Sequence, residues 1–203
     1  FVAGRSRCIH CHATLAWYDL IPVVSFLVLR GRCRQCSQRI SLRYPAVELV
    51  SGLIWIFAPS YFAIAILEVL VVIALIDYEH FIIPDSLVVI LALLGLWQAH
   101  IFTALACAGF FFILWAVSRG RWIGFGDVKL VGALGLLFGF PGALLIVYIA
   151  VVSGGLFGAV LLLLRKATRT TRLPFGTILC LAAGAYIFFS HALSTVFQGI
   201  FPY

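Results

Sequence analysis

Long apolar stretches alternate with short polar or Pro/Gly-containing breaks along most of the chain. The breaks define seven candidate membrane spans: 45–58, 60–77, 86–101, 103–118, 127–140, 142–164 and 175–193. A helix that crosses a bilayer needs about 20 apolar residues, so several of these spans are short. Short or broken spans are tolerated where neighbouring helices cover the backbone. The pattern therefore predicts an all-α polytopic membrane protein with about seven transmembrane helices in this chain.

Composition and charge support this prediction. Of the 203 residues, 64% are hydrophobic and 10% are charged, whereas a soluble domain is about half apolar and about a quarter charged. The 14 basic residues lie on or beside 1–44, 78–85, 119–126 and 165–174, which the predicted spans place on one side of the membrane. By the positive-inside rule that side is cytoplasmic. The net charge of +7 is thus a topology signal, and we expect no nucleic-acid partner.

The polar head contains two cysteine pairs, "CIHC" at 8–11 and "CRQC" at 33–36. This spacing is typical of a tetrahedral zinc site with four thiolate ligands. So short a head with little apolar content needs a metal to fold, and disulfides are disfavoured in the cytoplasm. We predict a cytoplasmic zinc-binding domain at 1–44 and a transmembrane domain at 45–203, with a closed, structural zinc site formed by Cys8, Cys11, Cys33 and Cys36. Disulfides or unligated thiols are the alternatives.

Of the four acidic residues at the cytoplasmic ends of predicted spans, two are candidates for catalysis: Asp77 in "LIDYEHFIIPD" and Asp127 in "GFGDVK". A charge inside a bilayer costs about 2.5–3.5 kcal/mol on insertion scales, so such carboxylates are functional candidates. Two nearby carboxyl groups can hydrolyse an amide: the ionised one takes a proton from water and the protonated one hydrogen-bonds the carbonyl. Alternatively, Asp127 is a helix cap and Asp77 an interfacial anchor. Asp85, after a proline and before an apolar run, is predicted to be a cap.

These segments occur in an ordered set: the paired cysteines around "WYDLIPVVSFLVLRGRC", then "SLRYPAVELVSG", "LIDYEHFIIPD", "GFGDVKL" and "LPFGTIL". The set covers nearly the whole chain. It resembles the type IV prepilin peptidases, the bacterial leader peptidase/N-methyltransferase family of GxGD intramembrane aspartic proteases.

The resemblance implies that Asp77 and Asp127 form a catalytic dyad and that the four head cysteines bind zinc. Family members remove the short basic leader of type IV prepilins or type II secretion pseudopilins. They cut after a glycine at the cytoplasmic face of the inner membrane. Many then methylate the new N-terminus with S-adenosylmethionine. The family usually has another membrane helix before the cysteines, so we expect eight spans in the full protein. Glu48 matches a family position to which we assign no role.

Two other functions are compatible with some of these residues. Signal-peptide-peptidase and presenilin-type GxGD proteases carry a Pro-Ala-Leu motif, which this sequence lacks, and they have no such paired-cysteine head. A proton-coupled membrane transporter or channel could use Asp77 and Asp127 as a proton relay. Transporters often contain internal repeats, but neither acidic segment has a second copy here. Cleavage of a prepilin distinguishes a protease from a transporter.

Overall fold

The structure, a computed structural model, describes residues 6–165 and 173–200, with residues 191–200 described as backbone only. Within these residues there is no β-strand, which confirms the all-α prediction. A 3-10 helix at Trp17–Leu20 precedes seven α-helices: α1 (Val24–Val28), α2 (Arg43–Phe57), α3 (Tyr61–His80), α4 (Asp85–Leu96), α5 (Ile101–Ser118), α6 (Phe125–Leu163) and α7 (Phe175–Ile200). The chain divides into two compact units between Ala58 and Pro59.

Three of the described helices are long and apolar enough to cross a membrane, namely α3, α5 and α6. The helix α4 and the Phe175–Ser190 part of α7 are shorter apolar helices. Much of the outer face of α5 is exposed, with Phe102 at 90%. A soluble protein seldom exposes so continuous an apolar surface, so this face indicates contact with lipid. Three candidate spans are therefore found, and the count of seven transmembrane helices stays a prediction.

The fifth and sixth predicted spans occur as one helix, α6, with two non-helical residues inside it. Gly139 has φ 59° and ψ −170°, and Phe140 has φ −91° and ψ 136°. A residue before proline is pushed out of the helical region, and Pro141 itself has no N–H to donate. Glycine tolerates the left-handed φ that the break requires. The break therefore falls at the predicted boundary between 127–140 and 142–164.

Helix α6 is central to the second unit, where it packs against α4, α5 and α7, while α3 packs against α7 and α4. Its side chains Leu130 and Leu134 are almost fully buried. A Cβ added at Gly135 would lie 2.9 Å from the Cα of Ala104 on α5. Small residues let helix backbones approach this closely in a membrane protein. The small residues of α6 thus permit close packing against neighbouring helices.

Two polar contacts join the segments of the first unit. The Arg34 guanidinium donates from Nε and Nη2 to Oδ1 of Asp19, at 3.0 and 2.8 Å. This contact ties the 3-10 helix to the second cysteine pair. Glu48 on α2 accepts a hydrogen bond of 2.8 Å from the Val23 N–H through its Oε2. The residue to which sequence reasoning assigned no role therefore holds the segment before α1.

Candidate active site and metal site

Asp77 lies in the last turn of α3 and is buried, with 5% exposure. The helix ends at His80, because Phe81 adopts a left-handed conformation and donates its N–H to the Asp77 carbonyl at 2.8 Å. The Asp77 carboxylate meets the beginning of α7. Its Oδ2 accepts hydrogen bonds from the Thr177 N–H at 2.6 Å and from the Thr177 hydroxyl at 3.0 Å. Asp77 therefore caps a helix that lies 100 residues further along the chain.

Asp127 is the third residue of α6 and is also buried, with 9% exposure. Its Oδ2 accepts a hydrogen bond of 3.1 Å from the N–H of Gly124, the N-cap residue. This contact is one half of a capping box. The cap that the sequence allows as an alternative is therefore present, but it occupies only one oxygen of the carboxyl group. Within the described residues no donor contacts Oδ1 of Asp77 or Asp127.

The structure brings the two aspartates to the same small region, around Ile83. A Cβ added at Gly126, next to Asp127, would lie 3.1 Å from the Cβ of Ile83. A Cβ added at Gly176 would lie 2.8 Å from the Cδ1 of Ile83 and 3.0 Å from the Oδ2 of Asp77. The N-termini of α6 and α7 thus both pack against one side chain, and the absence of side chains at the two glycines permits it.

The electrostatics of this region follow from the two helix ends. The charges of Asp77 and Asp127 lie close enough to interact. Two buried carboxyl groups that interact can share one proton instead of ionising together. The N-termini of α6 and α7 direct their partial positive charge at the region and favour a negative charge there. A pair in this state has the groups that amide hydrolysis requires, one proton acceptor and one proton donor.

The first unit contains two cysteine knuckles with the same backbone geometry. In each, the N–H of the first cysteine donates to the carbonyl five residues later, at 2.9 Å for Cys8 and 2.8 Å for Cys33. The carbonyl of that cysteine accepts from the N–H four residues later, at 2.9 Å in both knuckles. The donors of these second bonds, His12 and Ser37, have left-handed φ of 56° and 57°. One isolated β-bridge closes each knuckle. Local sequence thus forms both halves of the site.

The two knuckles bring the thiols of Cys8, Cys11, Cys33 and Cys36 within 4.8 Å of one another. The Sγ atoms of Cys8 and Cys36 are 3.9 Å apart. Four sulfur ligands at about 2.3 Å around a tetrahedral zinc ion lie about 3.8 Å from each other, so the cluster fits that ion. All four predicted ligands therefore come together, and they can bind a metal ion in a manner consistent with zinc.

Protonation of the thiols also bears on metal binding, because a thiolate is the form that binds. Hydrogen bonds from the backbone N–H groups of Cys11 and His10 lower the pKa of the Cys8 thiol to about 6. A hydrogen bond from the Gln38 N–H lowers the pKa of Cys36, but burial and the neighbouring thiols outweigh it and raise that pKa to about 11. A metal ion that binds the four sulfur atoms would displace the protons that the thiols still carry.

Comparison with known proteins follows the same division of the chain. Residues 1–62 match the bacterial peptidase A24 N-terminal domain, and residues 64–159 match the type IV leader peptidase family. The chain belongs to this peptidase family. No solved structure gives a significant match.

Three similar relatives are each named prepilin leader peptidase/N-methyltransferase. The protein from Legionella pneumophila is 30% identical over 96% of this chain and 76% of its own length. The protein from Burkholderia pseudomallei strain 1026b is 38% identical over 91% of this chain and 67% of its own length. The protein from Bacillus subtilis strain 168 is 29% identical over 96% of this chain and 85% of its own length. The resemblance to the prepilin peptidases is thereby confirmed. The catalytic roles of Asp77 and Asp127 stay a prediction.

One prediction about the acidic residues of this chain is wrong. Asp85 was expected to cap a helix, but the N-cap of α4 is Pro84, and no side-chain cap bond is present there. The Asp85 carboxylate instead accepts a hydrogen bond from the Lys129 ammonium, with which it forms an ion pair. As the first residue inside the helix, Asp85 lies one position too late for the cap contact. Lys129, two residues after Asp127, offers it an opposite charge.

Sequence reasoning did not single out Thr177, Gly176 or Ile83, although all three adjoin the aspartates. A proline and a glycine immediately before an apolar run indicate a helix start near 174. That signal places Thr177 among the first N–H groups of a helix, which have no partner within it. It does not indicate which acceptor these groups meet. Only the packing of α3 against α7 reveals that the acceptor is Asp77.

Proposed function

We propose that this protein is an intramembrane aspartic endopeptidase. It removes the short basic leader from type IV prepilins or type II secretion pseudopilins, cutting after a glycine at the cytoplasmic face of the membrane. The observation that carries the proposal is that Asp77, in the last turn of α3, and Asp127, in the first turn of α6, are both buried beside glycines that pack against Ile83. Membership of the leader peptidase family and the names of the relatives support this substrate.

In the proposed mechanism, one aspartate is ionised and the other is protonated. A water molecule forms a C–O bond with the carbonyl carbon of the scissile amide and gives one proton to the ionised aspartate. The carbonyl oxygen takes the proton of the other aspartate, which produces a gem-diol. The C–N bond then breaks as the amide nitrogen takes the proton that came from water. A gem-diol hydroxyl returns its proton to the second aspartate, so the dyad recovers its starting state.

A peptide substrate must bring its scissile bond to the two carboxyl groups of the proposed dyad. The scissile bond must leave its helix to reach them. A glycine at the cut weakens a helix by about 1 kcal/mol relative to alanine, which favours this local unwinding. A prepilin has its basic leader next to an apolar helix, so its cleavage site is presented at the membrane surface where the proposed dyad lies.

The remaining assignments concern organisation and cofactors. We propose a cytoplasmic domain at 1–44, in which Cys8, Cys11, Cys33 and Cys36 hold a structural zinc ion, and a transmembrane peptidase domain at 45–203. When bound, zinc supplies folding free energy to the domain at 1–44. We place the protein in the bacterial inner membrane as a multi-pass protein with its active site facing the cytoplasm. The relatives' names extend the proposal to N-methylation of the new N-terminus with S-adenosylmethionine.

The decisive experiment is cleavage of a purified prepilin by the protein in lipid, with mass spectrometry of the product. We expect loss of the leader immediately after glycine, and the same spectrum detects any added methyl group. D77N and D127N should each abolish cleavage, whereas the matched variant D85N, which changes an exposed carboxylate, should retain it. A transporter would leave the prepilin intact. Unchanged masses for several prepilins, with a correctly folded enzyme, would contradict the proposal.

A further inference from the structure

The two carboxyl groups of the proposed dyad do not have the same hydrogen-bond donors. Oδ2 of Asp77 accepts two bonds, from the N–H and the hydroxyl of Thr177, at 2.6 and 3.0 Å. Oδ2 of Asp127 accepts one, from the Gly124 N–H at 3.1 Å. An ionised carboxylate only accepts hydrogen bonds, and bonds to a charged acceptor are shorter and stronger than neutral ones. The negative charge of the pair is therefore better held on Asp77.

The Thr177 hydroxyl has a second acceptor within reach. Its Oγ1 is 3.0 Å from the carbonyl oxygen of Ala74, one turn before Asp77 on α3. A hydroxyl has one proton, so it donates to one of these acceptors at a time. While Asp77 is ionised, the hydroxyl donates to its carboxylate. The Ala74 carbonyl is the weaker acceptor, because it is neutral and already accepts a backbone hydrogen bond inside the helix. Once Asp77 has taken a proton, the hydroxyl can rotate to Ala74, so both protonation states of Asp77 keep a hydrogen-bonded partner.

From this asymmetry we infer that Thr177 is a positioning residue that makes Asp77 the ionised member of the dyad and leaves the proton on Asp127. Asp77 then takes the proton from the attacking water through its Oδ1, which no donor of the described residues contacts, and Asp127 gives its proton to the scissile carbonyl. The inference rests on the proposed peptidase function for its chemistry. Its charge assignment, however, is a property of the free protein and is testable without a substrate.

The kinetic test compares T177V and T177S with the wild type in the prepilin cleavage assay. Valine keeps the shape of threonine and the N–H bond but loses the hydroxyl. Loss of one hydrogen bond to a charged group should lower kcat about 10- to 100-fold. KM should stay the same, because Thr177 is not proposed to contact the substrate. T177S retains the hydroxyl and should have nearly wild-type kcat. The matched control T103V, which changes a threonine on α5, should leave kcat unchanged.

The substrate-free test uses a hydrophobic carbodiimide, which adds to protonated carboxyl groups. The acid proton moves to one carbodiimide nitrogen and the carboxyl oxygen bonds to the central carbon, which gives an adduct that peptide mass spectrometry locates. In the wild type we expect Asp127 to be labelled at least about tenfold more than Asp77, since the extra Thr177 bond favours the charged form of Asp77. In T177V the labelling of Asp77 should rise.

Each outcome decides between the two proposals. Wild-type kcat in T177V, or equally low kcat in T177S and T177V, would overturn the role of the hydroxyl while leaving the peptidase function intact. Preferential labelling of Asp77, equal labelling of both residues, or labelling of neither would overturn the charge assignment. If the wild-type protein cleaves no prepilin, the peptidase proposal fails, and the labelling pattern still decides where the proton of the pair lies.

Discussion

Replacing Gly176 with alanine tests the geometry of the proposed active site with a single methyl group. The new Cβ would lie 3.0 Å from the Cγ and Oδ2 of Asp77 and 2.8 Å from the Cδ1 of Ile83. Carbon atoms in contact are separated by about 3.5–4.0 Å, so the carboxyl group must move by about 0.5–1.0 Å. Misplacement of a reacting group by about 1 Å can cost about 100-fold in rate. We therefore expect kcat of G176A to fall about 10- to 100-fold.

Stability should change little in the same variant. Gly176 lies in the first turn of α7, where alanine favours the helix by up to about 1 kcal/mol relative to glycine. That gain offsets the strain of the new contact. The matched control is G155A on α6, where an added Cβ meets no atom within 4 Å. Prepilin cleavage and thermal unfolding, measured on both variants, separate a loss of activity from a loss of fold.

The double variant I83V/G176A identifies the source of the loss. Valine at position 83 lacks Cδ1, so it removes the contact of 2.8 Å but leaves the contacts with Asp77. If the displaced carboxyl group is responsible, the double variant should remain as slow as G176A. Recovery of wild-type kcat would attribute the loss to Ile83 instead. A kcat of G176A within about threefold of the wild type would refute the close packing of Gly176 on Asp77 altogether, since the expected displacement costs more.

Two further predictions concern the cysteine head. C33S removes one of the four thiols. Loss of a contact around the ligands costs about 10–100-fold in metal affinity, and loss of a ligand itself should cost more. Elemental analysis of the purified protein should therefore find less zinc in C33S, whereas C107S, on α5, should keep its zinc. S37G places glycine at a left-handed φ of 57°. Residues other than glycine pay a free-energy cost of about 1–2 kcal/mol in this conformation, so S37G should stabilise the zinc-loaded protein by about 0.5–1 kcal/mol. A lower melting temperature for S37G than for the wild type would contradict this.

The helices and the cysteine knuckles could be predicted because both depend on local patterns. Apolar runs bounded by Pro, Gly and polar residues indicate helices whatever else surrounds them, and each cysteine pair forms its knuckle from hydrogen bonds within eight residues. The left-handed residues of the knuckles, His12 and Ser37, were not predictable in this way, because neither is glycine. Asp85 was mispredicted for a related reason. Its position after proline suggests a cap, and only the nearby Lys129 explains its actual partner.

The amino-acid sequence by itself determined that this chain is helical and apolar, that four cysteines have metal-ligand spacing, and that Asp77 and Asp127 are the acidic residues at the starts and ends of apolar runs that suit a catalytic pair. Only the tertiary structure decided that α3 and α7 pack so that Thr177 donates to Asp77, and that Gly126 and Gly176 both approach Ile83. The physical reason is range. Helix formation and knuckle geometry depend on neighbours within a few residues, whereas the setting of a buried carboxyl group depends on which distant backbone N–H groups the packing of helices brings to it.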